Sequence, residues 1–286
     1  MPAAIQPWLY VPEDDMDGGG TMKAARRITV VLPALNEEEA VGGQVAALLA
    51  HAGLRALGLG RVIVVDNGSD DGTAEVAAGA GAVVVREPRR GYGRACLAGV
   101  LAAAPGDLIL LMDADGSDDL DGAARVAGLA ARGAADLAMG SRARGHVEPG
   151  ALTPQQRVGN ALAALLLRPL AGVRVSDLGP VRAIGREALL ALDMREMTYG
   201  WSTEMLIKAG RAGYRVVEAP VDYHRRAGGR SKVAGTLGGT LRASRAIVAT
   251  IARYARWRPV GPGVAPSGAA AVGPLAHGEV AEEAAP

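Results

Sequence analysis

The sequence predicts an α/β fold with a mainly parallel central sheet and helices on both faces, and three observations carry that expectation. From residue 28 to residue 112, short apolar runs alternate with helical stretches, the mark of successive βαβ units. Leu108–Met112 is five apolar residues with no polar alternation, which suits a strand buried on both faces. Each apolar run also ends in a polar, turn-forming signature, at the place where open α/β sheets bind ligands.

Taken in order, the run Ile28 to Leu32 is stopped by Pro33, and Asn36 is placed to cap a helix over 37–57 that opens with three glutamates. The run Arg61 to Val65 leads into Asp66-Asn67-Gly68-Ser69-Asp70-Asp71-Gly72, a glycine-rich turn, with Asp71 or Thr73 capping a helix over 73–79. Asp66 is not needed for capping and is placed to accept hydrogen bonds from a base or ribose. A strand over 82–85 then meets Arg89-Arg90-Gly91-Tyr92-Gly93-Arg94, a basic turn opening a helix over 92–103. It suits either a phosphate neighbour or a solvated loop.

The next strand runs directly into Asp113, Asp115, Asp118 and Asp119. Asp113 and Asp115, two apart, share one side of the chain, and converging carboxylates repel unless a cation lies between them. Hard oxygen ligands suit Mg²⁺ or Mn²⁺ bridging to a diphosphate. The competing reading is a solvated acidic turn in which Asp118 or Asp119 caps the next helix.

Composition narrows the classes. A 286-residue chain with 49% hydrophobic residues can build one large domain or two small ones, and a formal charge of +1 offers no global basic field for nucleic acid. The single cysteine, Cys96, excludes an internal disulfide and suits a reducing compartment. No apolar run is long enough to span a bilayer and no signal-like core opens the chain, so a cytoplasmic protein is expected, soluble or peripheral at the inner face of the membrane.

PALNEE at 33–38, VVDNGSDDGT at 64–73, GYGRA at 91–95 and DADGS at 113–117, in this order and spacing, resemble the GT-A fold glycosyltransferases of family 2, whose fold is Rossmann-like. SDLGPVRAI at 176–184, YGWSTEMLIKA at 199–209 and GGRSKVAGT at 228–236 look like the dolichyl-phosphate mannose synthase branch and its bacterial polyprenyl-phosphate relatives. The resemblance implies a nucleotide-sugar donor, Mg²⁺ or Mn²⁺ as cofactor, and inversion at the anomeric carbon. By position it assigns Pro33, Leu35, Glu37 and Asp66 to the nucleoside pocket; Gly91 and Arg94, in the basic turn, are the candidates to neighbour the donor phosphates. Asp113 and Asp115 become the metal pair, and Ser117 stands where related synthases carry Gln as a further ligand. Arg230 and Lys232 match a basic segment that adds positive charge to the phosphates, a solvated basic turn being the alternative. Arg142, with Arg157 and Asn160, corresponds to the acceptor-phosphate region.

The resemblance implies polyprenyl phosphate as acceptor, and a phosphate oxygen already ionised needs no base. A hydroxyl acceptor on a soluble metabolite or glycan needs one, and Glu204 is the candidate. The alternative for Glu204 is a first-turn helix acid behind a capping Ser202. Asp177 and Arg182 are placed to hold the loop presenting the acceptor. A reading from another class is a non-catalytic nucleotide-sugar binder; a dinucleotide dehydrogenase is disfavoured because no Gly-x-Gly-x-x-Gly follows the first strand.

Four segments follow: a disordered tail over 1–26, the catalytic domain over 27–235, a basic amphipathic helix over 236–258 and a disordered tail over 259–286. In that helix Leu241, Ile247, Val248, Ile251, Tyr254 and Trp257 share one face and four arginines the other. Such a helix suits an anionic membrane surface, or packing on its own domain with solvated arginines.

Overall fold

The computed structural model describes residues 26–228 and 248–258. The predicted strand–helix alternation is present: β1 (Ile28–Ala34), α1 (Glu38–Ala50), α2 (Ala52–Ala56), β2 (Leu59–Asp66), α3 (Thr73–Gly79), β3 (Val83–Arg86), α4 (Tyr92–Ala102) and β4 (Leu108–Leu111). The chain continues through α5 (Leu120–Ala131), β5 (Leu137–Ser141), α6 (Pro154–Ala171), β6 (Arg182–Gly185), α7 (Arg186–Ala191), α8 (Trp201–Arg211) and β7 (Val216–Pro220). Residues 248–254 are again helical.

The strands form one sheet in the order β3-β2-β1-β4-β6-β5-β7. Every pairing is parallel except those of β6, which runs antiparallel to both β4 and β5. β4 shows why its sequence lacks alternation. Leu108 and Leu110 enter the core under α1, α2, α3 and α5, while Ile109 and Leu111 enter the one under α4, α7 and α8. With hydrophobic burial on both faces, each β4 side chain leaves water whichever way it points.

Two local expectations are corrected. The helix predicted over 37–57 is two helices, because His51 turns extended (φ −65°, ψ 114°) and its Nδ1 accepts the Leu54 N–H to start α2. Asn36 does not cap α1. It takes a left-handed conformation (φ 51°), its N–H donates to Ser69 Oγ and its Oδ1 accepts the Asp70 N–H at 2.8 Å. The side chain therefore latches the β1 exit to the β2 exit. Of the two proposed caps of α5, Asp119 takes the role, accepting the N–H groups of Asp121 and Gly122.

Candidate active site

Strand register sets the site. Ala34 pairs with Asp66 and Asp66 with Arg86, so the exits of β1, β2 and β3 lie level. Met112 donates its N–H to Val31 O, which brings the acidic run after β4 beside the exit of β1. The carboxyl ends of parallel strands thus gather residues that are distant in sequence.

On one side, Pro33 and Leu35 are half-buried at the β1 exit and Asp66 is buried, its Oδ1 accepting the Ser69 N–H at 3.0 Å. Next to Asp66, the buried Asn67 organises the basic turn. Its Nδ2 donates to Glu87 O and Arg89 O, and its Oδ1 accepts the Gly91 N–H at 2.7 Å. Gly91 (φ 152°) and Gly93 lie under the carbonyls of Met197 and Glu196, where a Cβ at either position would collide with backbone oxygen. The glycines of this turn are thus required by close backbone approach. Arg94, half-buried, donates its N–H to Met197 O.

At the centre, Asp115 is 4% exposed and Asp113 half-buried. Asp115 Oδ1 accepts both the N–H and the hydroxyl of Ser117, and its Oδ2 pairs with Arg226 Nη1 at 2.8 Å. Arg226 also pairs, through Nη2, with Glu37. Burial, and then the neighbouring Asp115 carboxylate, raise Asp113 to about 7. Asp118, buried beneath them, accepts the Asp113 N–H through Oδ2, while its Oδ1 has no hydrogen-bond partner among the described residues. Burial and Asp113 push its carboxyl well above the usual range.

This donor set fits a hard divalent cation bound by two carboxylates. Among the described residues no third His, Cys, Asp or Glu joins a metal-holding group, and Mg²⁺-type ions complete their shell with water and phosphate oxygens. The geometry revises Ser117: its hydroxyl is spent on Asp115, so it orients that carboxylate. Arg226 was missed by sequence reasoning; the only signal was the basic pair Arg225-Arg226 a few residues before the RSK segment. Arg230 and Lys232 lie outside the described residues.

On the other side, after β5, Arg142 is gripped by Asp177: Nε donates to Oδ2 at 2.7 Å, Nη2 to Oδ1 at 2.9 Å, and the backbone N–H to Oδ2. Asn160 Nδ2 donates to the same Asp177 at 2.9 Å. Burial works against the guanidinium charge, but the Asp177 bonds outweigh it and raise the Arg142 pKa. Arg142 and Asn160 therefore meet at Asp177, whereas Arg157 sits on the exposed side of α6. Arg182 is fully buried, holding Gly179 O and Ser202 O, and burial lowers it to about 10.

Glu204 is placed differently from a base. It is 0% exposed, pairs with Lys208 Nζ at 2.7 Å, and accepts the N–H groups of Arg195 and Glu196. Lys208 also donates to Asp193 O and lies over the rings of Tyr254 and Trp257, at 4.9 and 5.2 Å. Ser202 does not cap α8, whose N-cap is Gly200. The described end of the C-terminal helix thus turns its apolar face inward: Ile251 and Tyr254 are buried in the domain core and only Val248 of that face is exposed. Within the described residues this is packing on its own domain, not a face left for a membrane.

The acidic pair, with buried Asp66 on one side and buried Arg142 on the other, lies at the carboxyl ends of the strands, where open α/β enzymes bind their ligands. The chain belongs to glycosyltransferase family 2, whose sequence model, described as "Glycosyl transferase family 2", matches residues 29–190. It is 44% identical over 219 residues to a glycosyltransferase of Mycobacterium bovis, covering 76% of this chain and 94% of the relative. A dolichyl-phosphate hexose transferase of Haloferax volcanii is 34% identical over 204 residues, covering 70% of this chain and 84% of the relative. Among solved structures, glucosyl-3-phosphoglycerate synthase from Mycobacterium tuberculosis, in complex with Mn²⁺, UDP-glucose and phosphoglyceric acid, superposes with a TM-score of 0.63 at 22% identity. That match covers 87% of this chain and 85% of the synthase and places the protein in the GT-A fold.

Proposed function

We propose that the enzyme moves a hexose, with inversion, from a nucleotide sugar to a polyprenyl phosphate. The donor's nucleoside lies along Pro33, Leu35, Glu37 and Asp66, and its diphosphate faces Asp113, Asp115 and Arg226. A divalent cation held by Asp113 and Asp115 supplies Lewis-acid stabilisation of the departing diphosphate. Arg226 adds a fixed positive charge to the same oxygens, and Arg230 and Lys232 extend it. Across the acidic pair, Arg142, oriented by Asp177 and Asn160, receives the acceptor phosphate.

The observation that carries the acceptor reading is the engagement of Glu204. A carboxylate fully buried against Lys208 and two backbone N–H groups has neither the exposure nor the free lone pair that deprotonating a hydroxyl requires. A phosphate oxygen is ionised at neutral pH and needs no such base. The similarity to the Haloferax volcanii dolichyl-phosphate hexose transferase supports the same choice.

The test is incubation with Mn²⁺ or Mg²⁺, labelled GDP- and UDP-hexoses and a short polyprenyl phosphate. Label is expected in the organic phase and only with metal present. Metal-dependent donor hydrolysis with none in the lipid would move the acceptor to a soluble phosphate or hydroxyl.

A further inference from the structure

α6 has two unlike faces. At about 100° per residue, Val158, Leu162, Leu165 and Pro169 fall within an arc of about 60°. The opposite arc carries Asn160, which holds Asp177, together with Ala163 and the fully buried Leu167. The inner face alone docks the helix. The outer stripe is open to water: Val158 is 68% exposed, Leu162 51% and Leu165 66%. Elsewhere among the described residues large exposed apolar side chains occur singly, at Val76, Val83, Leu101, Tyr199 and Val248. Three on one helical stripe mark an interaction surface.

Charge decides what covers it. From residue 149 to residue 176 there is no acidic residue, while Arg157, Arg168 and Arg174 are all exposed. On the helical projection Arg157 and Arg168 flank the stripe on one side. The helix is begun by a Thr153–Gln156 capping box with Pro154 in the first turn and ended by Gly172 in the left-handed conformation (φ 71°), so its 18 residues carry their own start and stop signals. Among the described residues no helix is long and apolar enough to cross a membrane. An antiparallel two-fold contact through the stripe would set the Arg157–Arg168 edge of one copy beside that of the other. An anionic lipid surface accepts both the leucines and the arginines.

We infer that the outer face of α6 lies in the headgroup region of an anionic membrane, with Val158, Leu162 and Leu165 inserted and Arg157, Arg168 and Arg174 on the lipid phosphates. The described end of the C-terminal helix, by contrast, packs on the domain core. The inference rests on the polyprenyl-phosphate reading only for its purpose: Asn160, on the inner face of the same helix, joins the Arg142–Asp177 cluster, so docking brings the acceptor cluster to the bilayer.

The experiment is co-sedimentation of the full chain with phosphatidylglycerol–phosphatidylcholine vesicles and with phosphatidylcholine vesicles, containing neither polyprenyl phosphate nor donor. Each arginine near an anionic leaflet contributes roughly fivefold, so the anionic vesicles are expected to bind at least about tenfold more strongly, with the difference shrinking in salt. Leu162→Asp with Leu165→Asp, both at exposed sites, should lose at least about tenfold of that binding with an unchanged melting temperature. Arg168→Gln with Arg174→Gln is the second variant and should cut the anionic preference by at least about tenfold while leaving the apolar stripe intact. The inference is overturned if the wild type ignores anionic vesicles, if both variants bind as well as wild type, or if the leucine variant instead disperses a dimer seen by light scattering. Vesicle binding through α6 with no label entering lipid would sink the acceptor reading alone. Labelled lipid without vesicle binding would sink this inference alone.

Discussion

Asp113 and Asp115 do different work although they are two residues apart. Asp115 is committed to an ion pair with Arg226 and to hydrogen bonds from Ser117, whereas burial and its neighbour raise the Asp113 pKa to about 7. Replacing Asp115→Asn should cut transfer by roughly 10²–10³-fold, the scale seen when a group stabilising transition-state charge is removed. Full activity of that variant, in chelator as well as in metal, would remove the metal assignment. Glu204→Gln makes the opposite kind of prediction. Losing the carboxylate leaves Lys208 charged and buried, so stability should fall by about 3–5 kcal/mol in a denaturant titration. If instead stability is kept and only turnover with a hydroxyl acceptor collapses, Glu204 is a base after all. These residues also show what a sequence displays. The acidic pair was legible because both partners follow one buried strand. Arg226 was not, because its partner Glu37 lies 189 positions away and only folding joins them.

Among the elements, the turn from Glu87 to Arg94 depends least on itself. Asn67 reaches across from the end of β2 to hold Glu87 O, Arg89 O and the Gly91 N–H, while the Met197 carbonyl meets it from the far side. Asn67→Ala removes three hydrogen bonds and strands their backbone partners, at a cost of about 1–3 kcal/mol for each group left buried. The expected readout is a raised donor KM with kcat nearly kept, because the turn positions the diphosphate and takes no part in bond breaking; an unchanged KM would detach the turn from donor binding. The GYG motif announced this turn in the sequence, but not the loop over 193–197 that requires its glycines. The C-terminal helix shows the same limit. Its amphipathic pattern was plain, yet periodicity reports that a face is buried and not what buries it. Lys208 and the domain core supplied the answer.

For the molecule as a whole, the buried acids make stability depend on pH and on metal. An Asp raised from 3.8 to about 7 is protonated in the folded state where it would be ionised in the unfolded one. The folded state then binds more protons, so stability of the metal-free protein should fall as pH rises from about 4 to about 7. Asp118, shifted in the same direction, steepens the trend. A saturating divalent cation offsets the repulsion and should flatten that slope, while metal affinity itself rises over the same pH range because a proton must leave Asp113. Melting curves at several pH values, with and without Mn²⁺, read both effects; a slope of the opposite sign would show that Arg226 and Arg142 outweigh the burial of Asp113. At this scale the sequence by itself determined the α/β class and the place of the acidic pair at the end of a buried strand, since these rest on apolar periodicity and on residues adjacent in the chain. Only the tertiary structure decided which charges meet: Arg226 with Glu37 and Asp115, Arg142 with Asp177, and Glu204 with Lys208. It also decided which amphipathic helix turns inward and which keeps its leucines in water, because a buried face looks the same in sequence whatever covers it.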